Sequence, residues 1–360
     1  MTRFLGRLAV QQRVLPTYRA PFFDLLASAC DGGMSLFTGL PRPGEGIATT
    51  DRLRVADYRL GKNLHFFWGP LYLCYQLGLL AWLKEWNPDA LIVEANPRYL
   101  ATPSAVRWMR RQGRPVIGWG LGSPRVRGFR KQRRAAFLSQ FDAMISYSQR
   151  GADEYAALGF PREKIYIAHN SVAAPPTFPL LLRPLTFDPR PTLLFVGRLQ
   201  LRKRVADLLL ACSQLELNPR LIIVGDGPER NDLESLAQKI YPGAEFVGAK
   251  HGAELTPYFM QADLFVLPGT GGLAIQEAMS YGLPVIVAQG DGTQGDLVRE
   301  ANGWKIPPGD LGALVSTMQD ALSDVARLRR MGEESYRVVK EEINIEKMVE
   351  VFVAVLKALT

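Results

Sequence analysis

The stretch LFVLPGTGGLAIQEAMSYGLPVIVA, residues 264–288, sets the reading of the whole chain. Four apolar residues end at Pro268, and Gly269, Thr270, Gly271 and Gly272 follow. An apolar run of small residues comes next with a lone carboxylate, Glu277; Gly282-Leu283-Pro284 then leads into Val285-Ile286-Val287. A short apolar run closed by turn residues predicts a buried strand, and Gly and Pro punctuation on both sides of a longer run predicts a helix between two strands.

Outward from this unit the same rhythm recurs. TLLFVG, RLIIVG and AEFVG alternate with the helical runs KRVADLLLACSQL, RNDLESLAQKI and ELTPYFMQA. Earlier in the chain, RLAVQQRVL, GMSLFTG, ALIVEA, PVIGWG, AMISYS and KIYIAH alternate with helical patterns near 21–29, 68–86, 102–113, 129–139 and 149–158. Such alternation predicts α/β architecture, with parallel sheets covered by helices on both faces. At 360 residues the chain exceeds one ordinary domain. The segment VAAPPTFPLLLRPLTFDPRP, 172–191, holds six prolines and breaks the rhythm, which predicts a stiff connector and a domain boundary near residue 175. The most apolar stretch, GPLYLCYQLGLLAWL at 69–83, is shorter than the roughly 20 residues of a membrane span and predicts a buried helix.

Three cysteines, Cys30, Cys74 and Cys212, give neither a disulfide framework nor metal-ligand spacing. With no secretory leader visible, the expected compartment is the cytoplasm. The net charge of +8 divides unevenly, +12 over residues 1–180 and −4 over 181–360. It peaks from Arg107 to Arg134, with ten basic residues and no acid. That excess predicts an anionic partner for the first half: an acidic acceptor or a membrane surface met by Arg125, Arg127 and Arg130. No nucleic-acid-binding motif accompanies it.

In open parallel sheets ligands bind beyond the carboxyl ends of the strands. FVGRLQLRKRV, 195–205, places Gly197, Arg198 and Lys203 there, two cations suited to a diphosphate. IVGDGPER, 223–230, is a weaker signal, read as packing and turn chemistry rather than a ligand contact. After the strand at 264–267, amides of Gly272, Leu273 and Ala274 open a helix beside Gly271, and Glu277 offers a carboxylate that can accept from vicinal hydroxyls.

GRLQLRKRVADLLLA, LIIVGDGPERNDLESLA, FVGAKHGAELTPYFMQADLFVLP, GLAIQEAMSYGLPVIVA and DLVREANGWKIPPGD together resemble the retaining glycosyltransferases of family 4. LPTYRAPFFDLLA, PDALIVEANPRYL and FDAMISYSQRGADEYAALGFPREKIYIAHNSV resemble the acceptor half of the same family. The resemblance implies the GT-B fold: two Rossmann-like domains facing a cleft, 1–175 for the acceptor and 176–343 for the nucleotide sugar, with a helix at 344–360 crossing back to the first. It implies that Arg198 and Lys203 hold the donor diphosphate and stabilise the leaving group, aided by Gly197, Gly271, Gly272, Leu273 and Ala274. Glu277 would hold the ribose, and Tyr18 and Arg19 would lie on the acceptor side. The implied donor is a UDP-sugar and the implied acceptor a hydroxyl on a glycan or lipid-linked carrier. No Asp-x-Asp occurs, so neither a metal clamp nor any other cofactor is expected.

The sequence departs from the family's pattern twice. Gly269 stands where the family has a second glutamate, a position expected to have room for a side chain, and Leu121 stands near where it often has a histidine. His65, His169 and His251 lie elsewhere and are expected to be structural. A degenerate nucleotide- or glycan-binding subunit, or an epimerase or hydrolase on the same fold, are the competing readings; donor breakdown without acceptor separates them.

Overall fold

The structure, a computed structural model, describes residues 2–123, 126–290 and 293–360. It divides into two compact units, Met1–Val172 together with Ile345–Thr360, and Ala173–Asn344.

The first unit is built on β1 (Leu8–Val14), β2 (Met34–Gly39), β3 (Asp57–Leu60), β4 (Lys62–Phe66), β5 (Leu73–Leu77), β6 (Ala90–Glu94), β7 (Val116–Gly120), β8 (Ala143–Ser146) and β9 (Ile165–Ile167). All but β4 and β5 form one parallel sheet in the order β3-β2-β1-β6-β7-β8-β9. Side chains alternate through the sheet: Leu8 and Val10 enter one core and Ala9 the other, all fully buried. Both faces are therefore covered, as a parallel sheet with apolar strands requires. Helices α1 (Ala20–Ser28), α2 (Leu79–Trp86), α3 (Thr102–Arg111), α4 (Phe129–Leu138) and α5 (Gln149–Ala157) follow the strands. Phe22, Phe23 and Leu26 of α1 pack in the first core with the last helix of the chain, Ile345–Leu359. Phe352 there meets the rings of Phe22 at 5.1 Å and Trp119 at 4.9 Å. On the opposite face, Leu79, Trp82 and Leu83 of α2 pack with Ala105, Val106 and Met109 of α3.

The apolar stretch 69–83 is not one buried helix. It splits into a single turn at Gly69–Leu71, the strand β5 and the start of α2. The reason lies in its alternation: Cys74 and Gln76 point inward while Leu73, Tyr75 and Leu77 do not. Gly78, at φ 90°, then turns the chain from strand to helix. β4 and β5 pair antiparallel from Lys62↔Leu77 to Phe66↔Leu73, an inserted hairpin the apolar count conceals. Gln76 fixes it to β1 by hydrogen bonds with the Gln11 side chain and, at 3.0 Å, the Gln12 carbonyl.

The second unit has a six-stranded parallel sheet of β10 (Thr192–Val196), β11 (Arg220–Val224), β12 (Ala244–Gly248), β13 (Leu264–Leu267), β14 (Val285–Ala288) and β15 (Gly303–Ile306), in the order β12-β11-β10-β13-β14-β15. Its helices are α6 (Val205–Ser213), α7 (Arg230–Ile240), α8 (Thr256–Gln261), α9 (Ala274–Ser280), α10 (Thr293–Leu297), α11 (Leu311–Ser323) and α12 (Val325–Arg337). Every residue of β13 and β14 is buried, which is why they read as unbroken apolar runs.

The proline-rich stretch, read as a stiff connector, packs onto one of the two units. From Ala173 on it belongs to the second unit, and Arg183 is its fastening. The guanidinium donates to the carbonyls of Phe259 at 3.0 Å, Ala262 at 2.9 Å, Tyr281 at 2.9 Å and Gly282 at 3.1 Å. Prolines cannot supply those donors, so one half-buried arginine holds the segment down. No helix among the described residues is long and apolar enough to cross a membrane.

Candidate functional site

The loops that leave β10 to β13 converge at their carboxyl ends. After β10 come Gly197 and the exposed Arg198, then a turn at Leu201–Lys203. Arg204 sits at φ 55°, a left-handed conformation that reverses the chain before α6 and is held by an ion pair to Asp207 at 2.5 Å. Lys203 is thereby folded inward: only 6% of it is exposed, and its Nζ donates to the Gly271 carbonyl at 2.5 Å. No carboxylate among the described residues pairs with it. Burial, with Arg202 as a second cause, pushes its pKa down to about 8. An unpaired cation kept out of water is costly unless a ligand supplies the counter-charge.

The glycine loop 269–272 packs on this turn, backbone to backbone. The Thr270 amide donates to the Arg202 carbonyl at 3.0 Å. A Cβ at Gly269 would lie 2.5 Å from the Lys203 Cα, so the room expected there for a side chain does not exist. Gly271 has φ +68°, which turns its carbonyl to Lys203. Gly272, Leu273 and Ala274 open α9, whose N-terminus no side chain caps. In α9, Ile275, Ala278 and Met279 enter the core, and the buried Gln276 accepts from the Ala173 amide at 3.2 Å and donates to the Ile343 carbonyl at 2.6 Å. Glu277 remains half-buried on the helix, its carboxylate without a partner among the described residues, and burial raises its pKa.

Beside this turn lies a cavity of about 610 Å³, lined by Gly197, Arg198, Asp226, Lys250, His251 and Leu255 among others. Lys203 adjoins it, its Cε 3.9 Å from the Cβ position at Gly197. The sequence reading passed over Asp226, Lys250 and His251 as turn and loop residues. Their signal was positional, since each lies two or three residues past the end of β11 or β12. His251 also accepts from the Glu254 amide and gives its own amide to the Glu254 carboxylate at 3.2 Å, a reciprocal cap that fixes the loop. Arg202 was passed over as well; it hydrogen-bonds Gln200 at 3.0 Å and borders Gly271.

In the first unit the expected residues do not converge. Tyr18 is 48% exposed, but Arg19 is buried. Its guanidinium donates to the Ser171 carbonyl at 3.0 Å and to Asn170, and the rings of Tyr18, Phe22, Trp119 and Tyr147 surround it within 5.9 Å. Arg19 is thus a structural clamp, closed to an acceptor, which corrects its expected place. Replacing it with alanine removes these hydrogen bonds and ring contacts and is expected to cost about 1–2 kcal/mol of stability in denaturant melts, with nucleotide affinity unchanged. Arg125 lies outside the described residues. Arg127 and Arg130 are exposed. Glu94, at the end of β6, has its carboxyl pushed up to about 7 by burial and accepts from the Arg13 amide at 2.9 Å.

Comparison with known proteins agrees with this architecture. Residues 183–338 match the family described as glycosyl transferases group 1, and residues 24–171 match the glycosyl transferase 4-like domain. The chain is 34% identical over 144 residues to the sulfoquinovosyl transferase SQD2 of Arabidopsis thaliana, covering 38% of this chain and 27% of that protein. It is 40% identical over 114 residues to a GDP-mannose-dependent alpha-mannosyltransferase of Mycolicibacterium smegmatis, covering 31% and 28%. The matched lengths are thus less than a third of these curated relatives. Among solved structures, Anabaena HepE in complex with UDP has the same fold at a TM-score of 0.72 and 15% identity, covering 99% of this chain and 100% of that one. The lipopolysaccharide outer core galactosyltransferase WaaB, in its apo form, does so at 0.72 and 17% identity, covering 98% and 99%. Two adjoining family matches that together account for most of its length, with a fold shared from end to end, support a group 1 glycosyl transferase and show the GT-B fold.

Proposed function

We propose that the protein is a retaining glycosyltransferase that moves a sugar from a nucleoside diphosphate sugar to a hydroxyl of a glycan or lipid-linked acceptor, working in the cytoplasm at or near a membrane surface. The observation that carries the reading is Lys203, a buried cation with no carboxylate partner among the described residues, turned onto a glycine loop that opens a helix. A diphosphate supplies the missing charge. Arg198 and Lys203 then meet the charge that grows on the leaving group, without a metal clamp. Glu277 accepts from the ribose hydroxyls, and the cavity edged by Asp226, Lys250 and His251 takes the base. A UDP-sugar is the favoured donor, in keeping with the UDP bound by HepE; GDP-mannose, named for the mycobacterial relative, is its rival.

A panel of UDP, GDP and ADP in thermal melts ranks the bases, since a ligand at 100 times its dissociation constant adds about 2.7 kcal/mol of stability. Replacing Glu277 with alanine is expected to weaken the best of them about tenfold, in line with the ~1.5 kcal/mol of a charge-assisted hydrogen bond. An unchanged affinity in the folded variant removes Glu277 from the site. Gly269 favours one second reading, a nucleotide-binding subunit without catalysis, because the position cannot hold the family's carboxylate. Slow release of nucleotide from UDP-glucose without acceptor supports the enzyme, and binding without turnover on any donor supports the subunit. The anomeric signal of the product by NMR then decides retention.

A further inference from the structure

The β4–β5 hairpin ends in a tip that buries little of its own apolar surface. Phe67, Trp68 and Leu71 are 63%, 76% and 72% exposed. Exposed large apolar residues are ordinary when scattered singly, whereas three within five positions form a patch. The tip is also held rigid. Arg42, itself buried, stacks its guanidinium 4.5 Å from the Trp68 ring centre and 4.1 Å from that of Tyr72. Its Nη2 donates to the Phe67 carbonyl at 2.8 Å, and the Tyr72 hydroxyl hydrogen-bonds His65 at 3.0 Å. The fold thus spends a buried arginine on presenting these side chains to solvent.

The neighbours of the tip are cationic. Arg98, in the segment after β6, donates to the Pro70 carbonyl at 3.3 Å, and α4 starts after the neighbouring parallel strand β7, so the hairpin tip and the helix start share the carboxyl edge of the sheet. Arg134 is spent on the Ser123 hydroxyl at 2.8 Å. The rest of the α4 start is open: Phe129 is 71% exposed, and Arg127, Arg130, Lys131 and Arg133 are exposed with no carboxylate partner among the described residues. A rigid wedge of aromatic and aliphatic side chains therefore adjoins a band of unpaired cations. A soluble acidic glycan matches the cations but leaves the wedge in water. An anionic bilayer matches both, since Trp and Phe settle at headgroup depth while Lys and Arg pair with lipid phosphates.

We propose that the β4–β5 tip and the start of α4 form one membrane-docking face, in which Phe67, Trp68 and Leu71 enter the headgroup layer of an anionic bilayer and Arg127, Arg130, Lys131 and Arg133 hold its phosphates. The proposal deepens the acceptor-side reading above and rests on it for its purpose, the capture of lipid-linked acceptors.

The test is cosedimentation of the full chain with vesicles of phosphatidylcholine, alone or mixed with phosphatidylglycerol, over a salt series. Binding to the mixed vesicles that falls as salt rises is expected, with Trp emission quenched by brominated acyl chains in the wild type and much less in Trp68→Phe. Phe67→Ser with Trp68→Ser is expected to lower partitioning by at least about tenfold. Arg130→Gln, Lys131→Gln and Arg133→Gln together are expected to lower it on the order of 100-fold, at about fivefold per charge. Stabilisation by UDP, measured on each variant, reports that the second unit is intact. No vesicle binding by a chain that still takes UDP overturns the proposal. So does wild-type binding by the tip variant, or binding that soluble heparin abolishes and the tip variant does not weaken. Vesicle binding without any nucleotide binding sinks the transferase reading instead and leaves the docking face standing.

Discussion

Replacing Lys203 with alanine is expected to weaken nucleoside diphosphate binding by about 10- to 100-fold at pH 7, the 1.5–3 kcal/mol of a charge-assisted contact, while leaving the ligand-free protein as stable as before or more so. The two halves of that result come from one cause. The ammonium is buried against the Gly271 carbonyl with no carboxylate partner among the described residues, so its removal relieves the empty protein and harms only the complex. A merely structural lysine gives the opposite pattern, a loss of stability at constant affinity. Because the pKa of Lys203 lies near 8, below the ordinary lysine value of 10.5, the sign of the pH dependence follows. Below about pH 8 the group is charged in both folded and unfolded chains, and the burial cost is paid in full. Between about 8 and 10.5 the unfolded chain holds a proton that the folded one has shed, so stability from this group rises with pH. Ligand binding runs the other way: the diphosphate needs the proton, and affinity falls by up to about tenfold per pH unit above 8. Titration calorimetry from pH 7 to 9.5 checks it, and Lys203→Ala is expected to flatten that part of the profile.

Gly269→Ala is expected to cost about 3 kcal/mol of stability, and Gly269→Glu at least as much, read as a shift of the denaturant midpoint. The neighbours of that Cα are backbone, the Arg202 carbonyl and the Lys203 Cα, and they cannot rotate out of the way as a side chain can. Any Cβ there pushes the 201–203 turn away from the glycine loop and carries Lys203 with it. Nucleotide affinity is therefore expected to fall in parallel with stability. A Gly269→Glu protein of full stability with a new donor preference contradicts this packing.

The parallel sheets were legible in the sequence because strands buried on both faces are written as unbroken apolar runs, LLFV at 193–196 and LFVL at 264–267 among them. The hairpin was not legible, because its alternation sits inside an apolar run whose length imitates a helix. Charge misled at Arg19, where a cation beside aromatic residues proved to be packed among them. Lys203 and Glu277 could be picked out by their position after strands, but the approach of Lys203 to Gly271 spans 68 residues and depends on Arg204 adopting a left-handed conformation. Asp226, Lys250 and His251 each follow a strand in the same manner, and only the folding of neighbouring strands gathers them round one cavity.

The last helix bears on the order in which the chain acquires its structure during synthesis. Met348, Phe352 and Leu356 complete the core that Phe22 and Trp119 begin, so the first half of the sequence emerges from the ribosome with one face of its sheet uncovered. Ala173–Asn344, contiguous in sequence, can close its core first. The unit whose chain is made earlier is then the one whose core closes later, and in the interval Phe22, Phe23 and Trp119 present an apolar surface open to misassociation.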